Sequence, residues 1–125
     1  NPQMTHGHKR KTATRRDVKS ECYGKAVKIA AYDSTSRYPR SVQIYARDKG
    51  NIHPTQKPLA LMEYLVKTYS NEGEVVMDFA AGSFTTGVAS IKNNRRFIGI
   101  EKEGKHFLDG SERVKQAITL KYNKG

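Results

Sequence analysis

The sequence predicts an α/β fold organised around one βαβ unit, and three observations predict it. Residues 75–77, Val75-Val76-Met77, are apolar and two of them are β-branched, which suits a short strand covered on both faces. A turn of small residues follows, Ala80-Ala81-Gly82-Ser83, and helical spacing runs from Thr85 to about Asn93. Then Arg96-Phe97-Ile98-Gly99-Ile100-Glu101 gives a second strand, apolar in its middle and ending on a carboxylate.

Each part has a chemical reading. Backbone built from Ala80 to Ser83 can approach a ligand closely. The first N–H groups of the following helix point back at that turn. Asp78 sits at the carboxyl end of the first strand, where ligands bind in open α/β sheets. Glu101 lies 19 positions after Gly82. A carboxylate about 20 residues past a glycine turn is the ribose-binding position of a nucleoside-cofactor βαβ unit. Gly82 and Gly87 alone do not make the full glycine fingerprint, and an ordinary packing unit without ligand is the competing reading.

The flanking segment narrows the choice. His53-Pro54-Thr55-Gln56-Lys57-Pro58 stands just upstream. With it, the chain resembles the C-terminal part of a β-type (permuted) DNA amino-methyltransferase. In that family an His-Pro-Thr-x-Lys-Pro segment precedes an Asp-x-x-x-Gly-Ser-Gly-Thr-Thr loop, and a Phe/Ile-Gly-Ile-Glu strand follows. All three occur here in that order. The resemblance covers residues 32–118 well and the first thirty loosely. It implies a Rossmann-like methyltransferase sheet, S-adenosylmethionine as cofactor, and methylation of an exocyclic amine of adenine or cytosine in double-stranded DNA. It also implies a cytoplasmic enzyme of bacterial or phage origin, with a homodimer as one assembly open to it.

Site roles follow from the resemblance, residue by residue. Asp78 would meet the cofactor ammonium. The loop of Phe79, Ala81, Gly82, Ser83 and Thr85 would take the methionine end, with backbone N–H groups as donors. Glu101 would accept the ribose hydroxyls, and Lys57, assisted by Thr55, would neutralise the carboxylate. Helix capping by Asp78 and Glu101, and a plain surface charge at Lys57, are the structural alternatives. One departure stands in the loop: Phe84 replaces the usual glycine, and it is expected to open the helix rather than face the ligand. The family's catalytic Asp/Ser/Asn-Pro-Pro-Tyr/Trp motif does not occur in these 125 residues. No catalytic residue is therefore assigned. The expected partner is an N-terminal catalytic segment of the same protein, and the chain alone is expected to be inactive. A truncated relic that binds DNA without catalysis is the alternative. An oxidoreductase-type nucleotide domain fits less well, because no dinucleotide fingerprint is complete.

Composition frames these readings. Apolar residues make up 36% of the chain, below the usual share for a self-sufficient core. No apolar window approaches a membrane span, and no secretory h-region follows the basic start. A single cysteine, Cys22, fits a reducing compartment, and it reads as a small buried side chain rather than a nucleophile. Charge is uneven. Residues 1–50 hold twelve Lys/Arg against four Asp/Glu, a net +8, while residues 51–125 carry a net +3. This divides the chain into a small, irregular, basic DNA-facing recognition segment, 1–50, and a cofactor-binding part, 51–125.

Within the basic segment, residues 1–21 show no period and are expected as loop. His6 and His8 read as exposed side chains rather than a metal pair, and no metal site is assigned. A short strand or hairpin is expected over 23–32, a turn at Asp33-Ser34, and a strand where Val42, Ile44 and Ala46 alternate with Gln43 and Tyr45. Arg15, Arg16, Lys19, Arg37 and Arg40 are the candidate phosphate contacts, and Tyr38 a candidate stacking ring. Packing of Tyr38 on the core is equally compatible with the pattern. In the second part, Leu61, Met62, Leu65, Val66 and Tyr69 predict a helix from Pro58 to Ser70, stopped by a left-handed Gly73. Phe107, Leu108, Val114, Ala117 and Ile118 predict the inner face of a helix over 105–121, weakened by Gly110.

Overall fold

The computed structural model describes residues 1–13, 32–50 and 52–123. The chain divides into two compact units, Pro2–Ser41 and Val42–Gly125, the latter joined by Asn1.

In the first unit, β1 (Lys11–Ala13) pairs antiparallel with β2 (Tyr32–Ser34), with Thr12 opposite Asp33. Thr5 and Arg37 extend the pairing by exchanging two backbone bonds of 2.9 Å. The loop expected over 1–21 therefore contains a strand, and the turn expected at Asp33-Ser34 is strand. The cause is pairing between segments about twenty residues apart, which leaves no local period. The hairpin expected over 23–32 lies outside the described residues except for Tyr32, as does Cys22.

The second unit holds α1 (Leu59–Tyr69), β3 (Val75–Asp78), α2 (Thr85–Lys92), β4 (Arg96–Gly99) and α3 (Gly104–Tyr122). β3 and β4 pair in parallel, Met77 opposite Ile98 and Asp78 opposite Gly99, with α2 as the crossover. This is the predicted βαβ unit. Val66, Ala81, Phe84, Val88, Ala89 and Ala117 form the buried core, drawn from α1, the loop after β3, α2 and α3. Small residues make the close approaches possible. A Cβ on Gly87 would stand 2.6 Å from the Phe97 ring, and one on Gly110 would stand 2.6 Å from the Phe84 ring. Gly110 is thus a packing site for an aromatic ring, beyond the weak point in a helix that its sequence suggests.

Several expectations are corrected. The strand at 42–46 does not form, and Ile44 is 90% exposed, because the alternation has no partner strand among the described residues. Tyr69 faces solvent at 82% exposure, and Phe107, Leu108 and Ile118 are also exposed; Val66 and Ala117 carry the inner faces of α1 and α3. Pro58 precedes α1, and the carboxylate of Asp48 caps the helix by accepting the Leu59 N–H at 2.8 Å. α1 ends at Ser70; Gly73, with φ of 81°, serves the turn that follows it. Among the described residues, the sheet is covered on one face only. Val75, Met77, Ile98 and Ile100 on the other face are exposed, and Phe79 beyond them is 78% exposed. α2 packs on β3 and β4 from one side, so the alternate side chains of each strand remain bare. Arg95 locks the rim of the covered side. Its buried guanidinium donates to Ser70 Oγ, Ser70 O and Asn93 O at 3.0, 2.7 and 2.6 Å.

Candidate functional site

A cleft of about 320 Å³ opens at the carboxyl end of β3. One wall is the segment of His53, Thr55, Gln56 and Lys57, with Met62 of α1. The other is Asp78, the loop of Ala80 to Ser83, and Thr85 and Thr86 at the start of α2. The hexapeptide and the small-residue loop, distant in sequence, therefore face one another.

The loop has a defined geometry. Asp78 Oδ1 accepts the Ala80 N–H at 3.1 Å, and Asp78 Oδ2 accepts the Thr86 hydroxyl at 2.6 Å. The Ala81 N–H donates to Ile100 O at 3.0 Å, and the Gly82 N–H donates to Glu101 Oε2 at 2.8 Å. Glu101 Oε1 accepts the Glu103 N–H at 3.0 Å. These N–H groups, that of Glu103 first and that of Gly82 second, hold the Glu101 carboxyl below the ordinary carboxylate range. Each of its oxygens keeps acceptor capacity for a further donor. Two amides expected to serve a ligand are thus engaged inside the loop, because the chain closes a tight turn between the two strand ends. Ala81 and Gly82 offer close backbone approach instead.

Phe84 stands at the N-cap of α2 with φ of 55° and ψ of 32°, a left-handed conformation unfavourable for a residue with a Cβ. Its ring is 5% exposed and meets Phe97 and Phe107 edge-on, each at 5.9 Å between centroids. It opens the helix and faces the core, away from the cleft. Ser83 and Thr85 on either side are buried, with their hydroxyls 3.1 Å apart.

On the opposite wall, His53 Nδ1 accepts the Thr55 N–H at 3.2 Å and lies 3.0 Å from the Thr55 hydroxyl. The His53 ring packs edge-on against His106 of α3, at 4.2 Å between centroids. Lys57 is exposed at the cleft edge. Of the nine residues predicted for the cofactor, seven line the cleft: Thr55, Lys57, Asp78, Ala81, Gly82, Ser83 and Thr85. Glu101 borders it through its bond to Gly82, and Phe79 turns outward with the bare sheet face. The sequence reading missed Gln56, His53 and Thr86. Gln56 occupies the variable position of the hexapeptide, yet it is buried against the cleft. Thr86 was legible as the second threonine after the loop, eight residues from the carboxylate it contacts.

The predicted DNA contacts fall in the other unit. Arg15, Arg16 and Lys19 lie outside the described residues. The half-buried Arg37 donates to Ser36 O at 2.8 Å and Lys9 O at 3.0 Å, so its guanidinium has a structural task. Tyr38 and Arg40 are exposed. His6 Nδ1 lies 2.9 Å from Ser36 Oγ, and His8 Nε2 lies 2.8 Å from Thr5 Oγ1. No helix among the described residues is long and apolar enough to cross a membrane.

Several known DNA methyltransferases are similar to this chain. The DNA adenine methyltransferase YhdJ of Escherichia coli strain K12 is 44% identical over 70 residues, covering 56% of this chain and 24% of that protein. The type II methyltransferase M.HindIII of Haemophilus influenzae is 48% identical over 61 residues, covering 49% and 19%. The crystal structure of the M1.HpyAVI–SAM complex superposes with a TM-score of 0.51 at 37% identity, over 60% of this chain and 40% of that one. The matched stretch thus spans about a quarter of the first of these curated relatives, 24%. The family described as DNA methylase matches residues 4–112, and the chain belongs to this family of N6/N4 DNA methylases.

Proposed function

We propose that this chain is the S-adenosylmethionine-binding and DNA-facing part of a methyltransferase acting on an exocyclic amine of adenine or cytosine in double-stranded DNA. One observation carries the reading. Two strand-end carboxylates, Asp78 and Glu101, flank a close-approach loop that faces Lys57 across a cleft. The donor set suits a ligand with an ammonium, a carboxylate and a ribose diol. Asp78 would attract the ammonium, Lys57 and the hydroxyls of Thr55, Ser83 and Thr85 the carboxylate, and Glu101 the diol. The bound cofactor supplies an electrophilic methyl group; the residues here bind and orient.

The cleft, at about 320 Å³, is at the small end of ligand sites. We assign its remaining wall, and the catalytic Pro-Pro-Tyr/Trp motif, to a further segment of a longer protein. The bare sheet face of Val75, Met77, Phe79, Ile98 and Ile100 supports that assignment, since an uncovered two-stranded parallel sheet is a poor free-standing element. The basic unit, with Arg15, Arg16, Lys19, Arg37, Tyr38 and Arg40, is assigned to DNA.

Calorimetry with S-adenosylmethionine, S-adenosylhomocysteine and adenosine tests the site. Glu101→Ala should weaken all three by roughly one to two orders of magnitude, the range for hydrogen bonds to a charged group. Asp78→Ala should weaken the first two and leave adenosine nearly unchanged. Equal losses for adenosine in both variants would reduce Asp78 to its bonds with Ala80 and Thr86. Labelled methyl transferred to duplex DNA by the 125-residue chain alone would overturn the assignment of catalysis elsewhere.

A further inference from the structure

We infer that Arg113 is a positioning residue for the cofactor loop, holding residues 83–85 from outside the cleft and leaving one hydroxyl hydrogen of the Ser83–Thr85 pair for an acceptor there. The inference rests on the S-adenosylmethionine reading above.

Arg113 lies on α3 and is half-buried. Its Nη1 donates to the Ser83 carbonyl and, at 3.2 Å, to the Thr85 hydroxyl oxygen. It does not line the cleft. It lines a separate cavity of about 510 Å³, with Lys92 of α2 and Gln116 and Lys121 of α3. Arg113 therefore reaches the loop from outside the cleft.

The two bonds straddle Phe84. A non-glycine residue in the left-handed region is disfavoured by its own Cβ and persists only where its surroundings over-determine it. Here the neighbour on each side is tied to the same guanidinium. Ser83 and Thr85 are both buried, at 6% and 5% exposure, so a lost partner would leave a buried carbonyl unsatisfied.

Hydrogen counting gives the second half. A guanidinium only donates. The hydroxyls of Ser83 and Thr85, 3.1 Å apart, use one of their two hydrogens between them. Arg113 consumes neither. One hydroxyl hydrogen of the pair is therefore left for an acceptor in the cleft, and a ligand carboxylate is such an acceptor. Burial pulls the Arg113 pKa down, and the charge of Asp48 opposes that shift. Asp48 also caps α1 just after the hexapeptide.

Arg113→Met, Arg113→Lys and Arg113→Ala in the 125-residue chain test this. Amide hydrogen exchange at Phe84 and Thr85 should speed up in Arg113→Met, while that of Met77 in β3 stays as in wild type. S-adenosylmethionine and S-adenosylhomocysteine should bind about tenfold more weakly, and adenosine within about twofold of wild type. Millimolar guanidinium should restore part of the loss in Arg113→Ala, since the vacated position opens on the 510 Å³ cavity. Should Arg113→Met not fold, Arg113→Lys decides. One ammonium cannot reproduce the planar fork, so a loss of about threefold confined to the methionine-bearing ligands is expected. Wild-type affinity for all three ligands in every folded variant would overturn the inference and leave the cofactor reading standing. An equal loss for adenosine would show a general structural role and also overturn it. If the wild-type chain binds none of the three, the exchange measurement decides alone, and unchanged exchange at Phe84 and Thr85 in Arg113→Met overturns the inference.

Discussion

Replacing Gly110 by alanine should destabilise this protein, although the same change stabilises most helices. A helix-interior Gly→Ala exchange ordinarily gains about 1 kcal/mol. Here the new Cβ would stand 2.6 Å from Phe84 Cδ1, 2.7 Å from Phe84 Cγ and 3.1 Å from Gly82 O. The ring cannot swing aside, because Phe97 and Phe107 each hold it edge-on at 5.9 Å. Overpacking of this kind costs about 2–3 kcal/mol, so the net effect is a loss of about 1–2 kcal/mol.

Removing the obstacle should reverse the sign. Phe84→Gly loses about 3–5 kcal/mol of aromatic packing and recovers about 1–2 kcal/mol of left-handed strain. In that background Gly110→Ala meets only Gly82 O and should gain close to 1 kcal/mol. The double-mutant cycle then yields a coupling of about 2–3 kcal/mol. Urea unfolding followed by far-UV circular dichroism measures all four corners, with midpoints compared at constant slope. A stabilised Gly110→Ala, or an equal cost in both backgrounds, would refute the reasoning. It would mean that the ring is not fixed over Gly110.

Three further outcomes follow from the charges. The Glu101 carboxyl is held below the ordinary 4.5 by the N–H groups of Glu103 and Gly82, and Glu74 is lowered likewise, first by the Asn71 N–H. A lowered carboxyl contributes stability that is full above the unfolded value and lost as pH falls through the folded one; thermal stability should fall below pH 4.5, and less so in Glu101→Gln, whereas an unchanged acid limb in that variant would count against the loop geometry. In the basic unit, Arg40→Ala should reduce the salt slope of DNA binding by about 0.9, the value of one phosphate contact. Arg37→Ala should instead lower the melting temperature, since its guanidinium holds Ser36 O and Lys9 O; the opposite pattern would exchange the two roles.

The parts of the fold legible in the sequence are those whose causes lie close together along the chain. The βαβ unit runs without interruption from Val75 to Gly99, its periods and turn fall within that stretch, and its terminal carboxylate, Glu101, stands two residues beyond. Seven of the nine proposed cofactor residues line one cleft because two short motifs each keep their own geometry. What could not be read depends on distant partners. The alternation at Val42 and Ile44 looks like a strand until no partner is found for it, and three residues at Lys11–Ala13 look like loop until β2 pairs with them. Phe84 shows the limit most clearly. A phenylalanine where glycine is usual reads as a tolerated departure, and nothing within ten residues explains how it keeps a positive φ. The explanation stands 26 and 29 positions later, in a glycine that seats the ring and an arginine that holds the residues on either side. Gly110 alone looks like a defect in a helix, and Arg113 alone looks like a surface charge. Only their convergence on one strained residue gives either of them a function.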